Sequence, residues 1–180
     1  MVSPREAFGE SPEIEVRSAA PGWISIHTAP EVECKDKVVR FFRSQLIDLP
    51  EDLREKLGLA VDELLGNAIE HGAKLAPKLG VDLTFIRTER MVLIHVKDAG
   101  PGFSMNEVAH AAVNNPPEEP LRHIEFRSQL GMRPGGFGIM LVKQVADELV
   151  YNEQGNEVIF LKYLDGASRA GSDPRSKPRA

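Results

Sequence analysis

In "DELLGNAIEHG", Asp62 to Gly72, three polar side chains, Glu63, Asn67 and His71, follow one another at intervals of four. On a helix that spacing puts them on one face, a stripe that meets either water or a ligand. The amide oxygen of Asn67 can serve a hard divalent cation without adding charge. One turn earlier, the carboxylate of Glu63 can accept a proton from a hydroxyl or a water, or orient it. Two further patches follow in the chain. "DAGPGF" sets Asp98 where a strand gives way to Gly100, Gly102 and Phe103, and glycines there admit backbone conformations and close approaches that a side chain would block. "GGFGIML" sets Gly135, Gly136, Phe137 and Gly138 at the head of a helical run through Ile139 and Leu141, where free amides and the positive helix end suit an anion. It is not a Walker-type phosphate loop, because no "GKS" or "GKT" is present. Singly, these patches also read as a solvated helix face, an ordinary turn and a glycine-capped helix start. Their order and settings are what distinguish them.

The elements that would position these residues are legible as changes of period. "IEVRS" and "GWISIHTA" alternate as strands around a turn at Pro21-Gly22, which predicts an opening hairpin. From Glu31, Val38, Phe41, Phe42 and Leu46 recur at helical spacing, and Pro50 closes that segment and starts the next. In the second helix Leu57, Val61, Leu64 and Ala68, widened by Leu65 and Ile69, form the apolar side, with Glu63, Asn67, Glu70 and His71 on another and Gly72 as its end. "VDLTFIRT" and "MVLIHVKD" predict two strands joined at Glu89-Arg90. A short helix is expected over Asn106 to Val113, then a stretch without steady period, "NNPPEEPLRHIEFRSQLGMRPGG". A connection of that length inside a domain reads as a functional lid, about residues 103–134. "GFGIMLVKQVADE" predicts a helix, and "LVYNE" and "NEVIFLKYL" a last hairpin about Gln154-Gly155. Helices and antiparallel strands in groups imply an α+β fold, a two-layer sandwich of a mostly antiparallel sheet with helices on one face.

With 180 residues, 42% of them hydrophobic, the chain suits one sizeable core. The expected domain is 13–164. Residues 1–12 and 165–180 read as flexible tails, the second nearly free of large apolar residues. A balance of 22 Lys plus Arg against 27 Asp plus Glu gives a net charge of -5 and no support for direct nucleic-acid or anionic-membrane affinity. Cys34 is the single cysteine, which excludes an intramolecular disulfide and a cysteine metal cluster and leaves a small semi-buried apolar residue. With no signal-like segment and no long uncharged apolar run, a soluble cytoplasmic protein is the expectation.

Across Glu13 to Leu164, the three patches in this order resemble the ATP-binding domain shared by DNA gyrase, heat-shock chaperone ATPases, sensor histidine kinases and mismatch-repair ATPases, the GHKL superfamily with its Bergerat-type fold. Within it, "LAVDELLGNAIEHG" looks like the anti-sigma-factor serine/threonine kinases, the RsbW-like switch kinases. The resemblance implies ATP and Mg²⁺ as cofactors, with Asn67 the metal ligand and Glu63 the general base near the γ-phosphate. It implies that Asp98 accepts from the adenine amine, that His71, Gly100, Gly102 and Phe103 lie about the nucleotide, and that Gly135, Gly136, Phe137, Gly138 and Ile139 receive its phosphates. A lid arginine, Arg122, Arg127 or Arg133, can reach developing charge on the transferred group. The implied activity is phosphorylation of a serine or threonine on a small anti-sigma-factor antagonist, with a sigma factor as the other partner and a homodimer as the common assembly. Two other readings stay open: a non-catalytic module that uses ATP to gate protein binding, and a separated histidine-kinase catalytic domain. A complete sensor kinase would need a phosphoacceptor histidine on a helical hairpin, whereas His27 falls in a strand-like stretch.

Overall fold

The computed structural model describes residues 2–9, 11–72, 79–102, 116, 118–119, 122–129 and 137–164. Among the described residues, six strands form one sheet: β1 (Ile14–Ala20), β2 (Trp23–Thr28), β3 (Val81–Arg87), β4 (Met91–Asp98), β5 (Glu148–Tyr151) and β6 (Glu157–Tyr163). Their order is β1-β2-β3-β4-β6-β5, and every neighbouring pair is antiparallel. The sheet expected to be mostly antiparallel is therefore wholly so. The β1–β2 hairpin turns through Gly22 at φ 72, where a Cβ would also stand 2.6 Å from the Arg87 carbonyl oxygen. Only glycine meets both demands without strain.

Alternation along the strands decides where the core lies. Ile24, Ile26, Val81, Leu83, Phe85, Val92, Ile94, Val96, Val158 and Phe160 are buried and belong to one cluster with residues of the helices. The intervening side chains, among them Ser25, His27, Thr84 and His95, lie outside it and face each other in polar pairs: Ser25 with Thr84 at 2.9 Å and His27 with Asp82 at 2.6 Å. Helix α2 (Val32–Ser44) contributes Cys34, Val38, Phe41 and Phe42; α3 (Glu51–Asn67) contributes Leu57, Val61, Leu64 and Leu65. Phe42 meets Phe85 of the sheet edge-on, ring centroids 4.9 Å apart, a favoured aromatic geometry. Cys34 is fully within this layer, and burial pushes its thiol above the usual range. The expected apolar side of α3 is the buried one, Ala68 and Ile69 included.

Two stretches differ from the sequence reading. Residues read as part of a loose N-terminal tail contain a short helix, α1 (Pro4–Phe8). Ser3 and Glu6 form a reciprocal capping box, the Ser3 amide donating to the Glu6 carboxylate at 2.8 Å, with Pro4 in the first helical position. Phe8 is buried and its ring lies 4.9 Å from that of Phe41, so this turn is docked on α2. The irregular stretch after Asn114 contains an eight-residue helix, α4 (Arg122–Gln129). Two turns between Pro120 and Gly131 are too short for a helical period to stand out. The helix expected at 106–113 and the tail at 165–180 lie outside the described residues.

Candidate functional site

Helix α3 passes at Ala68 into a wider π-helical turn, Ala68–Gly72, an irregularity of the kind that often accompanies function. Its end meets the end of β4. A Cβ on Gly72 would overlap the Asp98 carboxylate, and one on Gly100 would lie 2.5 Å from the Gly72 Cα and 2.6 Å from its carbonyl oxygen. A side chain at Gly100 would force the two backbones apart, and one at Gly72 would displace the Asp98 carboxylate. Gly72, expected only to end a helix, is thus also the space in which Asp98 sits.

Asp98 is half-buried at the last position of β4, its Oδ1 accepting the Gly100 amide hydrogen at 2.7 Å. Burial raises its pKa above the ordinary aspartate range, and the Gly100 amide opposes this in part. Gly102 takes φ 75, with its Cα against the carbonyl of Gln154. Asn156, at the start of β6, donates through Nδ2 to the carbonyl oxygens of Asp98 at 3.2 Å and Gly100 at 3.3 Å, and its own carbonyl accepts from the Asp98 amide at 3.0 Å. Sequence reasoning missed Asn156. Its signal, "NEQGN", reads in the sequence as the turn of the last hairpin. Asn67, the last residue of α3, lines the same small cleft as Asp98, with Ala68, Val96, Asn156 and Val158.

Glu63 stands one turn before Asn67 and packs against the start of α5 (Gly138–Val145). A Cβ on Gly138 would overlap its carboxylate. Burial, then the neighbouring charge of Asp62, pushes the Glu63 carboxyl above the ordinary glutamate range; Lys35 opposes the shift and Glu70 adds to it. Phe137 caps α5 without a side-chain hydrogen bond to its first turn, and no acidic residue occupies that turn. The positive end of such a helix suits an anion. Ile139, the second residue of α5, is buried.

The fold therefore brings Glu63 to Gly138 and Asn67 to Asp98, joining parts of all three patches. His71 lies in the π-helical turn, with its side chain outside the described residues. Phe103, Gly135, Gly136 and Arg133 are outside them too, as is the side chain of Arg127. Arg122 is exposed and pairs with Glu119 at 3.6 Å.

The fit to a hard cation rests on Asn67. One amide position of Asn67, Nδ2, is buried with no hydrogen-bond partner among the described residues, and rotation about the last side-chain bond exchanges it with the oxygen. Such a group is costly unless something completes it. Among the described residues no three His, Cys, Asp or Glu side chains gather to hold a metal. A single amide ligand suits Mg²⁺, which keeps waters and bridges substrate phosphates.

Residues 29–162 match the histidine kinase-like ATPase domain family. The chain belongs to that family. Membership implies that the chain binds ATP. A stretch of 111 residues is similar, at 27% identity, to the serine-protein kinase RsbW of Oceanobacillus iheyensis, spanning 61% of this chain and 65% of that protein. Among the described residues no helix is long and apolar enough to cross a membrane.

Proposed function

We propose that this chain is an ATP-dependent serine/threonine-protein kinase acting as an anti-sigma factor or a related partner-switching regulator, and that it phosphorylates a small antagonist protein. The observation that carries the reading is the pairing of Glu63 with Gly138. It sets a carboxylate of raised pKa at the start of α5, one turn from the amide of Asn67. Likeness to a serine-protein kinase supports the choice of a hydroxyl acceptor over a histidine.

Each residue has a distinct task in this reading. Asp98 accepts from the adenine amine, and the Gly72–Gly100 contact fixes the carboxylate that does so. The first-turn amides of α5 hold phosphate oxygens. Asn67 supplies one oxygen to Mg²⁺, which when bound neutralises charge on the phosphates. Glu63 takes the proton of the acceptor hydroxyl as its oxygen bonds to the γ-phosphorus; the bond to the β,γ-bridging oxygen breaks and ADP leaves. A carboxyl pKa lifted toward the working pH makes Glu63 a better match to this task than an exposed glutamate. In the same reading the sigma factor and the antagonist compete for a surface whose affinity depends on nucleotide state, the protein acts in the cytoplasm, and a homodimer is the assembly.

The test is transfer of labelled γ-phosphate from ATP with Mg²⁺ to candidate antagonists encoded in the same genome. Wild type is compared with Glu63→Ala and Asn67→Ala. Acid-stable label on serine or threonine, lost in both variants, is the expected result. Tight ATP binding with no label on any candidate would reduce the protein to a nucleotide-gated binding module, and absence of ATP binding would end the reading.

A further inference from the structure

Three carboxylates crowd the end of α3: Asp62, Glu63 and, in the turn that follows, Glu70. The charges of Asp62 and Glu70 add to burial in opposing ionisation of Glu63. One cation enters the group from another helix. Lys35 of α2 donates to the Asp62 Oδ1, with its ammonium also 3.6 Å from Asp36. The Lys35 side chain is only 17% exposed. We infer that Lys35 is a positioning residue for phosphotransfer: its ion pair with Asp62 holds and compensates that carboxylate, so that Glu63 can stay ionised where it must accept a proton.

The electrostatic surroundings agree. Asp62 and Glu70, on α3 and its continuation, push the Glu63 carboxyl up by like charge, and Lys35, on α2, pulls it down. Helix α5, the third element packed here, carries Lys143 as its one charged residue, in its last turn, away from Gly138. Among the described residues, then, compensation near Glu63 comes from Lys35. The ammonium itself is held above the usual lysine range although burial pulls it down, because Asp62 and then Asp36 outweigh that penalty. Lys35 thus remains charged wherever Glu63 works. A purely structural role would lower stability or turnover alike at every pH and leave the Glu63 midpoint unmoved.

This inference rests on the kinase reading for its consequence, but its electrostatic core can be measured without activity. The experiment follows the Glu63 side-chain carboxyl by ¹³C NMR titration, assigned by loss of the signal in Glu63→Gln, in the full chain as wild type, Lys35→Met, Lys35→Arg and Lys35→Met with Asp62→Asn. Phosphotransfer to the acceptor is measured over the same pH range. In Lys35→Met the Glu63 midpoint moves up. Its turnover falls about threefold or more near pH 5.5 while staying within about twofold of wild type near pH 8. Lys35→Arg keeps the wild-type profile, and Asp62→Asn added to Lys35→Met brings the midpoint back down. A Glu63 midpoint that stays in place or falls in Lys35→Met overturns the inference. So does an equal loss of turnover at every pH. If wild type labels no acceptor, the kinase reading fails by itself and the titration still decides whether Lys35 compensates this group.

Discussion

Gly138→Ala is a substitution that ordinary helix energetics would favour. Alanine is preferred to glycine by up to about 1 kcal/mol within a helix, and Gly138 is the first residue of α5. Its new Cβ, however, would overlap the Glu63 carboxylate and stand 2.9 Å from Cδ and 3.6 Å from Cγ. Only the far end of a flexible side chain is in the way, so the carboxyl swings aside at a rotamer cost of about 0.5–1.5 kcal/mol. The two terms nearly cancel, and the change in folding free energy should fall within about 1 kcal/mol of zero. Loss of a positioned base costs about 10²–10⁴ in rate, or roughly 3–5 kcal/mol of barrier. Stability and activity therefore separate. Single-turnover transfer of γ-phosphate and urea unfolding, run on wild type, Gly138→Ala, Glu63→Gln and the double variant, measure both. If the new methyl acts by displacing the carboxylate, the double variant loses no more than Glu63→Gln, within about 0.5 kcal/mol. Wild-type turnover in Gly138→Ala, or fully additive losses, would refute the geometry argued for this pair.

Asp98→Asn should stabilise the folded chain near pH 7 while weakening ATP binding. Burial raises the Asp98 carboxyl in the fold, so its contribution to stability is present below the unfolded pKa and lost as pH rises through the folded one. The variant's advantage in denaturant midpoint should accordingly vanish below about pH 4. Calorimetry should show ATP binding about 10–100-fold weaker, the cost of a charged hydrogen bond. A variant less stable than wild type at pH 7 would contradict the first part. Ser3→Ala should cost about 0.5–2 kcal/mol by removing the α1 capping box, read as a fall of a few degrees in melting temperature. An unchanged melting temperature would mean that α1 is not part of the cooperative unit.

Much of this architecture could be read from period alone, because strands with one buried face must alternate and α3 must keep its apolar stripe on the sheet. Glu63, Asn67, Asp98 and Gly138 were legible as chemistry for a similar reason: polar groups and glycines stood where an ordinary helix or strand has no use for them. Distances between patches were not legible. Contact between Glu63 and Gly138, far apart in sequence, depends on how α5 crosses α3, and that is set by packing. Asn156 escaped because an asparagine in a turn is common, and its two donated hydrogen bonds exist only once β6 lies beside β4. The capping residues Ser3 and Glu6 were visible, but a polar, proline-bearing composition outweighed them, and burial of Phe8 is a tertiary fact. Helix α4 offered too few residues for a period.

The strand order has a consequence for how the protein is made. Of the six strands described, β6 is synthesised last, yet it lies between β4 and β5, paired from Met91–Tyr163 to Lys97–Glu157. Until it arrives, β4 is an open edge carrying Val92, Ile94 and Val96, the sort of surface that recruits strands from other chains. Closing that ladder spans roughly sixty intervening residues, an entropic cost that grows only by about 0.6 kcal/mol for each doubling of length. The connection can therefore lengthen or shorten at little thermodynamic expense, whereas losing the final strand would leave the nascent sheet unsealed. Late closure of so distant a pair also makes folding slow relative to a helical domain of this size, and a newly synthesised chain would be most exposed to aggregation just before β6 is complete.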